Sequence, residues 1–167
     1  MIWLTSDTHF NHVNILRYCN RPFGSVEEMN EALIRNWNER VDPEDTVYFL
    51  GDFAFGPRGE HESFFLRLNG RKHLIQGNHD GASILRLPWL SQQHYLELKV
   101  ADIYAVLCHY PMEDWNDRYH QSCMFHGHSH GTGRVIHRRL DVGVDNCDYA
   151  PIGLEQAAER AFLHPRR

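Results

Sequence analysis

Apolar residues fall in short runs that each stop at a polar, often glycine-bearing segment. MIWLT (1–5) is a compact apolar run that predicts a buried strand. Ser25 with Glu28 three residues on makes a capping box, and Met29, Ala32, Leu33 and Trp37 follow at helical spacing. Together they predict an amphipathic helix over 26–40. TVYFL (46–50) reads as a β-branched and aromatic strand, ESFFLRL (62–68) as helix and KHLIQ (72–76) as strand. HYLELKV (94–100) and IYAVLC (103–108), separated by Ala101-Asp102, predict a tight hairpin. CMFH (123–126), RVIH (134–137) and LDVGV (140–144) predict further short strands, and a last helix runs from about 154 to 162. Helices interleaved early with strands, then a strand-rich second half, predict an α/β fold with some antiparallel pairing. At 167 residues the chain fits a single domain, 1–167, large enough to bury a core.

The polar residues that end these runs share a character. Asp7 and His9 follow the first strand, Gly51-Asp52 the second, and Gly77-Asn78-His79-Asp80 the third. His109 follows 103–108, and FHGHSHGTG (125–133) places His126, His128 and His130 at alternate positions. In α/β sheets, ligands bind beyond the carboxyl ends of strands, so these side chains are expected to converge. Singly, most read as turns or surface histidines. Jointly they offer carboxylate, amide and imidazole donors without a thiolate, a set suited to first-row divalent ions.

Composition sharpens this reading. Hydrophobic residues are 42% and charged residues 23%, an ordinary globular balance. The formal net charge of -5 argues against general polyanion binding. Thirteen histidines are the outlier, and histidine is the commonest metal ligand. Cys19, Cys108, Cys123 and Cys147 form no CxxC pair; Cys108 and Cys123 sit in apolar runs and read as small core residues. No signal-like or membrane-length apolar run occurs, so a cytoplasmic protein with no membrane association is expected.

The ordered series DTH, GDF, GNHD, HYP and HGHSH, from Asp7 to His130, resembles the calcineurin-like metallophosphoesterases, especially small stand-alone bacterial and phage members. The resemblance implies two facing mixed β-sheets flanked by helices, with two divalent metal ions at the sheet edges. It puts Asp7, His9 and His130 on one ion and Asn78, His109 and His128 on the other, with Asp52 bridging and catalytic His79 unligated. Mn²⁺ is the favoured ion, with Fe, Ni, Co or Zn as alternatives. The implied activity is phosphodiester hydrolysis by a metal-bridging hydroxide, on a nucleotide-like substrate or a nucleic-acid end. A phosphomonoesterase or a non-catalytic binding module on the same fold is the alternative. No obligate protein partner is expected.

His126 has no counterpart in the family pattern and reads as structural or as a neighbour of the ligands. The GDxxDRG signature of the phosphatase branch is replaced by Gly51-Asp52-Phe53-Ala54-Phe55-Gly56-Pro57, so the carboxylate that orients the catalytic histidine there has no match, unless Asp80 substitutes. PMEDWNDRYHQS (111–122) is a candidate rim, with Trp115 or Tyr119 to stack on a base and Arg118 to clamp phosphate. Arg21, in the Asn20-Arg21-Pro22-Phe23 turn, is a second candidate contact. His12 and His61 are expected at the surface. The His79-Asp80 pair also fits HD-type phosphohydrolases, but those are all-helical and this pair follows a strand.

Overall fold

The computed structural model describes residues 1–165. Along the chain lie β1 (Ile2–Thr5), α1 (Ile15–Tyr18), α2 (Val26–Arg40), β2 (Thr46–Phe49), α3 (Arg58–Arg67), β3 (Arg71–Ile75) and α4 (Ala82–Leu85). The second half holds β4 (Gln92–Gln93), β5 (Tyr95–Val100), β6 (Ile103–Cys108), β7 (Ser122–His126), β8 (Arg139–Asp141), β9 (Ile152–Gly153) and α5 (Leu154–Leu163). A single 3₁₀ turn spans Val144–Asn146.

Two mixed sheets form. The first has the order β4-β3-β2-β1-β9, parallel except for β9; the second is β5-β6-β7-β8, with β5 antiparallel to β6 and the rest parallel. The period of two sorts the side chains. In β2, Val47 and Phe49 face α2 and α3, where Trp37, Phe64 and Phe65 bury them, while Tyr48 and then Leu50 face the second sheet. In β6, Ala105 and Leu107 meet Leu4, Ile75 and Phe125 between the sheets, and α5 closes that layer with Ala157, Ala158 and Ala161.

The cap of α2 forms as the pattern predicts, with one shift. Ser25 Oγ accepts from Glu28 N, but Glu28 Oε2 accepts from Gly24 N, one residue earlier than a strict capping box.

Three expectations need correction. Residues 134–137 form no strand: Ile136 packs with Trp115 against Val106 and Met124 on the outer face of the second sheet. A loop layer covers that face where a helix would otherwise lie. The segment 140–144 divides, with β8 ending at Asp141 before the 3₁₀ turn. His61 is buried, not superficial, because His61, Phe64 and Phe65 share one face of α3 at i, i+3 and i+4. Cys123 lies in the core as expected, Cys108 packs half-buried beside the outer cluster, and all four cysteines are free.

Candidate metal centre

Strand ends bring the polar residues together, and backbone kinks aim them. Asp7, His9, Asp52, His128 and His130 all have left-handed φ, between 46° and 66°. That conformation is uncommon for residues with a Cβ and costs on the order of 1 kcal/mol each. At the end of a strand it turns the chain sharply at the donor residue itself, while the residues after His9 and Asp52, Phe10 and Phe53, return to the core. The loops must also approach closely. A Cβ on Gly51, whose φ is 93°, would lie 2.6 Å from the Gly77 backbone and from His109 Nδ1. A Cβ on Gly127 would collide with Ser6 Oγ and Asp7 Oδ2.

The main chain locks the loops to each other. Asp7 N donates to Gly51 O, His9 N to Asp52 O and Gly127 N to His109 O. Asp80 ties two more: its Oδ2 accepts from Asp52 N and Gly77 N, and its Oδ1 from Phe53 N. Asp80 therefore fixes the ligand loops rather than orienting the His79 ring.

All seven expected ligands meet in one place. Asp52 Oδ2 lies 3.6 Å from His9 Nε2 and 3.6 Å from His109 Nε2. His9 Nε2 is 3.9 Å from Asp7 Oδ1. Asn78 Oδ1 is 3.0 Å from both His109 Nε2 and His128 Nδ1. Ligand atoms of Asp7, His9 and His130 form one compact group, and those of Asp7, Asp52 and His109 another. Donors held at roughly 2.0–2.2 Å from a common ion stand about 3–3.6 Å apart, which the Asp52 and Asn78 separations match, while the His9–Asp7 pair at 3.9 Å is slightly wider. His79 stands at the edge, Nε2 4.0 Å from Asp52 Oδ2, with its side chain 47% exposed.

The surroundings fix which atom of each donor faces inward. His109 Nδ1 donates to Leu50 O, leaving Nε2 as the free donor. His130 Nδ1 bonds Asp145 Oδ2 at 2.7 Å, again freeing Nε2, the outer-carboxylate arrangement common at metal-bound histidines. Asp52 Oδ1 accepts from His79 N, so Oδ2 remains. Asp7 Oδ2 accepts from Ser6 Oγ at 2.7 Å, and His128 N donates to both carboxylate oxygens, 3.0 Å from Oδ2 and 3.2 Å from Oδ1, so Oδ1 carries the lighter load.

Electrostatics and unmet bonding capacity agree with a cation. Asp7 and Asp52 are buried together, and burial pushes the Asp7 carboxyl up to about 7. Burial also pulls His9 far below the usual imidazole range, and His130, Arg21 and other neighbours add to that. Both His9 ring nitrogens are buried without a partner. A divalent ion would satisfy such a site, giving the carboxylates their counter-charge and the orphaned imidazole its acceptor. At His130, burial opposes the charged form but the Asp145 bond and the Asp7 field outweigh it, so its pKa rises.

Arg21 is not a substrate contact. It is 4% exposed, its Nε and Nη2 bond Asp145, and the guanidinium also donates to the carbonyls of Thr8 and Asp7. It braces the first ligand loop from behind. Arg118 lies over the rings of Trp115 and Tyr119 and donates to Glu113 O. Trp115 is 6% exposed, with Nε1 on Ser122 Oγ, and is unavailable for stacking on a base. His126 is buried, bonded to its neighbour's carbonyl at Gly127, and lies outside the donor groups. His12 is half-buried, stacked on Phe55 at 4.1 Å beside His9.

Asp145 and Asp141 were missed by the sequence reading. Asp145 joins His130 to Arg21, and Asp141 accepts from Ser129 Oγ, Gly131 N and Gly143 N, shaping the histidine loop. The signal existed: Asp145 follows the apolar run 140–144 just as Asp52 follows 46–50.

The chain is similar to several known proteins over most of its length. An uncharacterized protein of Methanocaldococcus jannaschii is 34% identical over 163 residues, spanning 92% of this chain and 87% of that protein. The gene 66 protein of Mycobacterium phage L5 is 30% identical over 86% of each chain. A crystal structure of a protein of unknown function from Aquifex aeolicus superposes with a TM-score of 0.71 at 26% identity, covering 91% of this chain and 94% of that one. No helix among the described residues is long and apolar enough to cross a membrane. The calcineurin-like phosphoesterase model matches residues 1–127, which carry every expected site residue up to His109, and the chain belongs to that family.

Proposed function

We propose that the protein is a dinuclear-metal phosphodiesterase, with Asp7, His9 and His130 on one ion, Asn78, His109 and His128 on the other, and Asp52 shared. The observation that carries this reading is Asp52 Oδ2, equidistant at 3.6 Å from a histidine of each set. Mn²⁺ is the favoured ion, and the mixed imidazole, amide and carboxylate donors suit Fe, Ni, Co or Zn as well. Bound divalent ions supply Lewis-acid charge to phosphoryl oxygens and water ionised near neutral pH.

The residues divide the remaining work. Leu50 O and Asp145 hold His109 and His130 with Nε2 facing inward. The His79 main chain fixes Asp52 Oδ1, and its exposed ring, with Nε2 4.0 Å from Asp52 Oδ2, is open to a substrate bound at the centre. As water adds to phosphorus and the P–O bond to the leaving group breaks, His79 Nε2 delivers the proton that the alkoxide needs.

A diester is favoured over a monoester on charge. A phosphomonoester dianion calls for a guanidinium or ammonium clamp. Arg21, whose field reaches His9 and His130, is committed to Asp145 and main-chain carbonyls. A singly charged diester needs less.

The test is hydrolysis of bis-p-nitrophenyl phosphate and p-nitrophenyl phosphate by metal-stripped protein restored with Mn²⁺. Mn²⁺-dependent turnover of the diester, lost in Asp52→Asn, is expected. Preference for the monoester would make the protein a phosphatase. Two bound ions without turnover of either compound would leave a very selective enzyme or a binding module.

A further inference from the structure

Two aromatic rings stand beside the donor cluster and belong to none of the hydrophobic clusters of the fold. Phe55, in the loop after Asp52, is half-buried and its backbone is pinned by the bond from Phe55 N to Phe10 O. Its ring stacks on His12 at 4.1 Å and on His9 at 5.5 Å, and lies 5.2 Å from His79. Tyr110 follows His109 and is 48% exposed. It meets His128 at 4.9 Å and His109 at 5.1 Å, edge-on to both. Phe55 thus touches a histidine of the first ion's set and the proton donor, whereas Tyr110 touches two histidines of the second set. One half-exposed ring flanks each side of the centre. A lone exposed ring is ordinary at a protein surface; these two are set apart by their place, each against donor histidines, Phe55 beside His9 and Tyr110 beside His109 and His128.

Charge narrows what they would bind. The chain is acidic overall, so long-range attraction to a polyanion is weak. Stacking on ring faces is the sequence-tolerant alternative, worth ~1–3 kcal/mol per base.

Resting on the phosphodiesterase reading, we propose that Phe55 and Tyr110 are base-stacking platforms on either side of the scissile phosphate, so that the substrate is the internucleotide linkage of a single strand. Hydrolysis adds water across one P–O bond and yields a 3′- or 5′-phosphate on one side and a free hydroxyl on the other. His12, stacked beneath Phe55, positions that ring. A mononucleotide or an alkyl diester would fill at most one platform.

The experiment compares thymidylyl-(3′→5′)-thymidine with bis-p-nitrophenyl phosphate on the Mn²⁺-loaded protein. Phe55→Ala and Tyr110→Ala are each expected to raise KM for the dinucleotide about tenfold, with a smaller change in kcat, as one lost stacking contact predicts. Phe55→Trp and Tyr110→Phe, which keep a ring, should stay close to the parent. Equilibrium dialysis of the dinucleotide against the His79→Ala protein, with and without each alanine change, should give the same ranking without turnover. Normal bis-p-nitrophenyl phosphate hydrolysis with an unreactive dinucleotide, or with dinucleotide KM unmoved by both alanine changes, overturns the platforms alone. Failure of the parent protein on both compounds overturns the phosphodiesterase reading, and the platforms with it.

Discussion

The floor of the site and its lip are built differently. Asp7, His9, Asp52 and His109 are at most 2% exposed, whereas Asn78, His79 and His128 are exposed and His130 is half-buried. The floor is over-determined. Asp52 is held through its own N–H on Asp80, through Oδ1 on His79 N, and through a carbonyl that takes His9 N. The lip has fewer anchors to the floor: His128 is held there by its N–H bond to Asp7 and a left-handed kink, and its ring Nδ1 bonds Asn78, itself exposed. Each proposed ion draws donors from both layers. Buried donors fix charge at one point in a dry environment, where it acts most strongly. Exposed donors leave room for a phosphoester to reach it.

The sharpest test of the floor is Asp52→Asn. The amide keeps the shape and one acceptor but removes the charge between His9 and His109. Metal affinity should fall more than the ~10–100-fold typical of an outer partner. Turnover should fall beyond the ~10⁴-fold that a lost acid–base group explains. Metal content after desalting, read beside the rate, decides it; full occupancy with normal turnover would mean that Asp52 is not shared. On the lip, His79→Ala should lower kcat by ~10²–10⁴-fold and leave metal content unchanged. Metal lost in that variant would move His79 into the ligand set and erase the distinction between the layers.

How much of this was legible in the sequence follows the range of the interactions. Local signals held: the Ser25 cap, the helix at 26–40 and the strands at 1–5, 46–50 and 103–108 need only neighbours a few residues away. The donor set was legible because each member follows a strand: Asp7, His9, Asp52 and Asn78 follow β1, β2 and β3 of the first sheet, and His109, His128 and His130 follow β6 and β7 of the second, parallel strands in each sheet delivering their ends to one edge. Its members do come together, though spacing alone says nothing of the left-handed kinks that aim them. Arg21 shows what local reading misses. As a sequence it is a cation in a turn; in space it is the partner of Asp145, 124 residues away, and no periodicity encodes that pairing. Trp115 and Ile136 were misread for the same reason. Trp115 sits in a polar-looking loop and Ile136 in a run that reads as a strand, yet the two pack together with Val106 and Met124 on the second sheet.

That distant pair gives the next test. Asp145→Asn keeps an acceptor for His130 but weakens its hold on the Nδ1 proton and removes the charge opposite Arg21. Metal affinity should fall ~10–100-fold. The folded state should also lose stability, since a buried guanidinium without its carboxylate costs on the order of 3 kcal/mol. Chemical denaturation of the metal-free protein reads the second effect separately from the first. Unchanged stability together with unchanged affinity would show that the lip histidine is oriented by something other than Asp145.

The smallest effect is expected beyond the lip, in the 111–122 loop. Arg118 is a candidate to clamp phosphate from the sequence, lying in the loop between two ligand-bearing segments. Its guanidinium instead lies 5.1 Å from the ring centroids of both Trp115 and Tyr119 and bonds the Glu113 carbonyl, so it braces the layer over the second sheet. Arg118→Ala should then leave kcat and KM for bis-p-nitrophenyl phosphate within about twofold, as for a substitution away from the chemistry. It should lower stability by only ~0.5–1 kcal/mol, the worth of an exposed cation–π contact. A tenfold rise in KM with stability intact would put Arg118 back on the substrate. The loop would then have to close over the centre, bringing the rim into the working site.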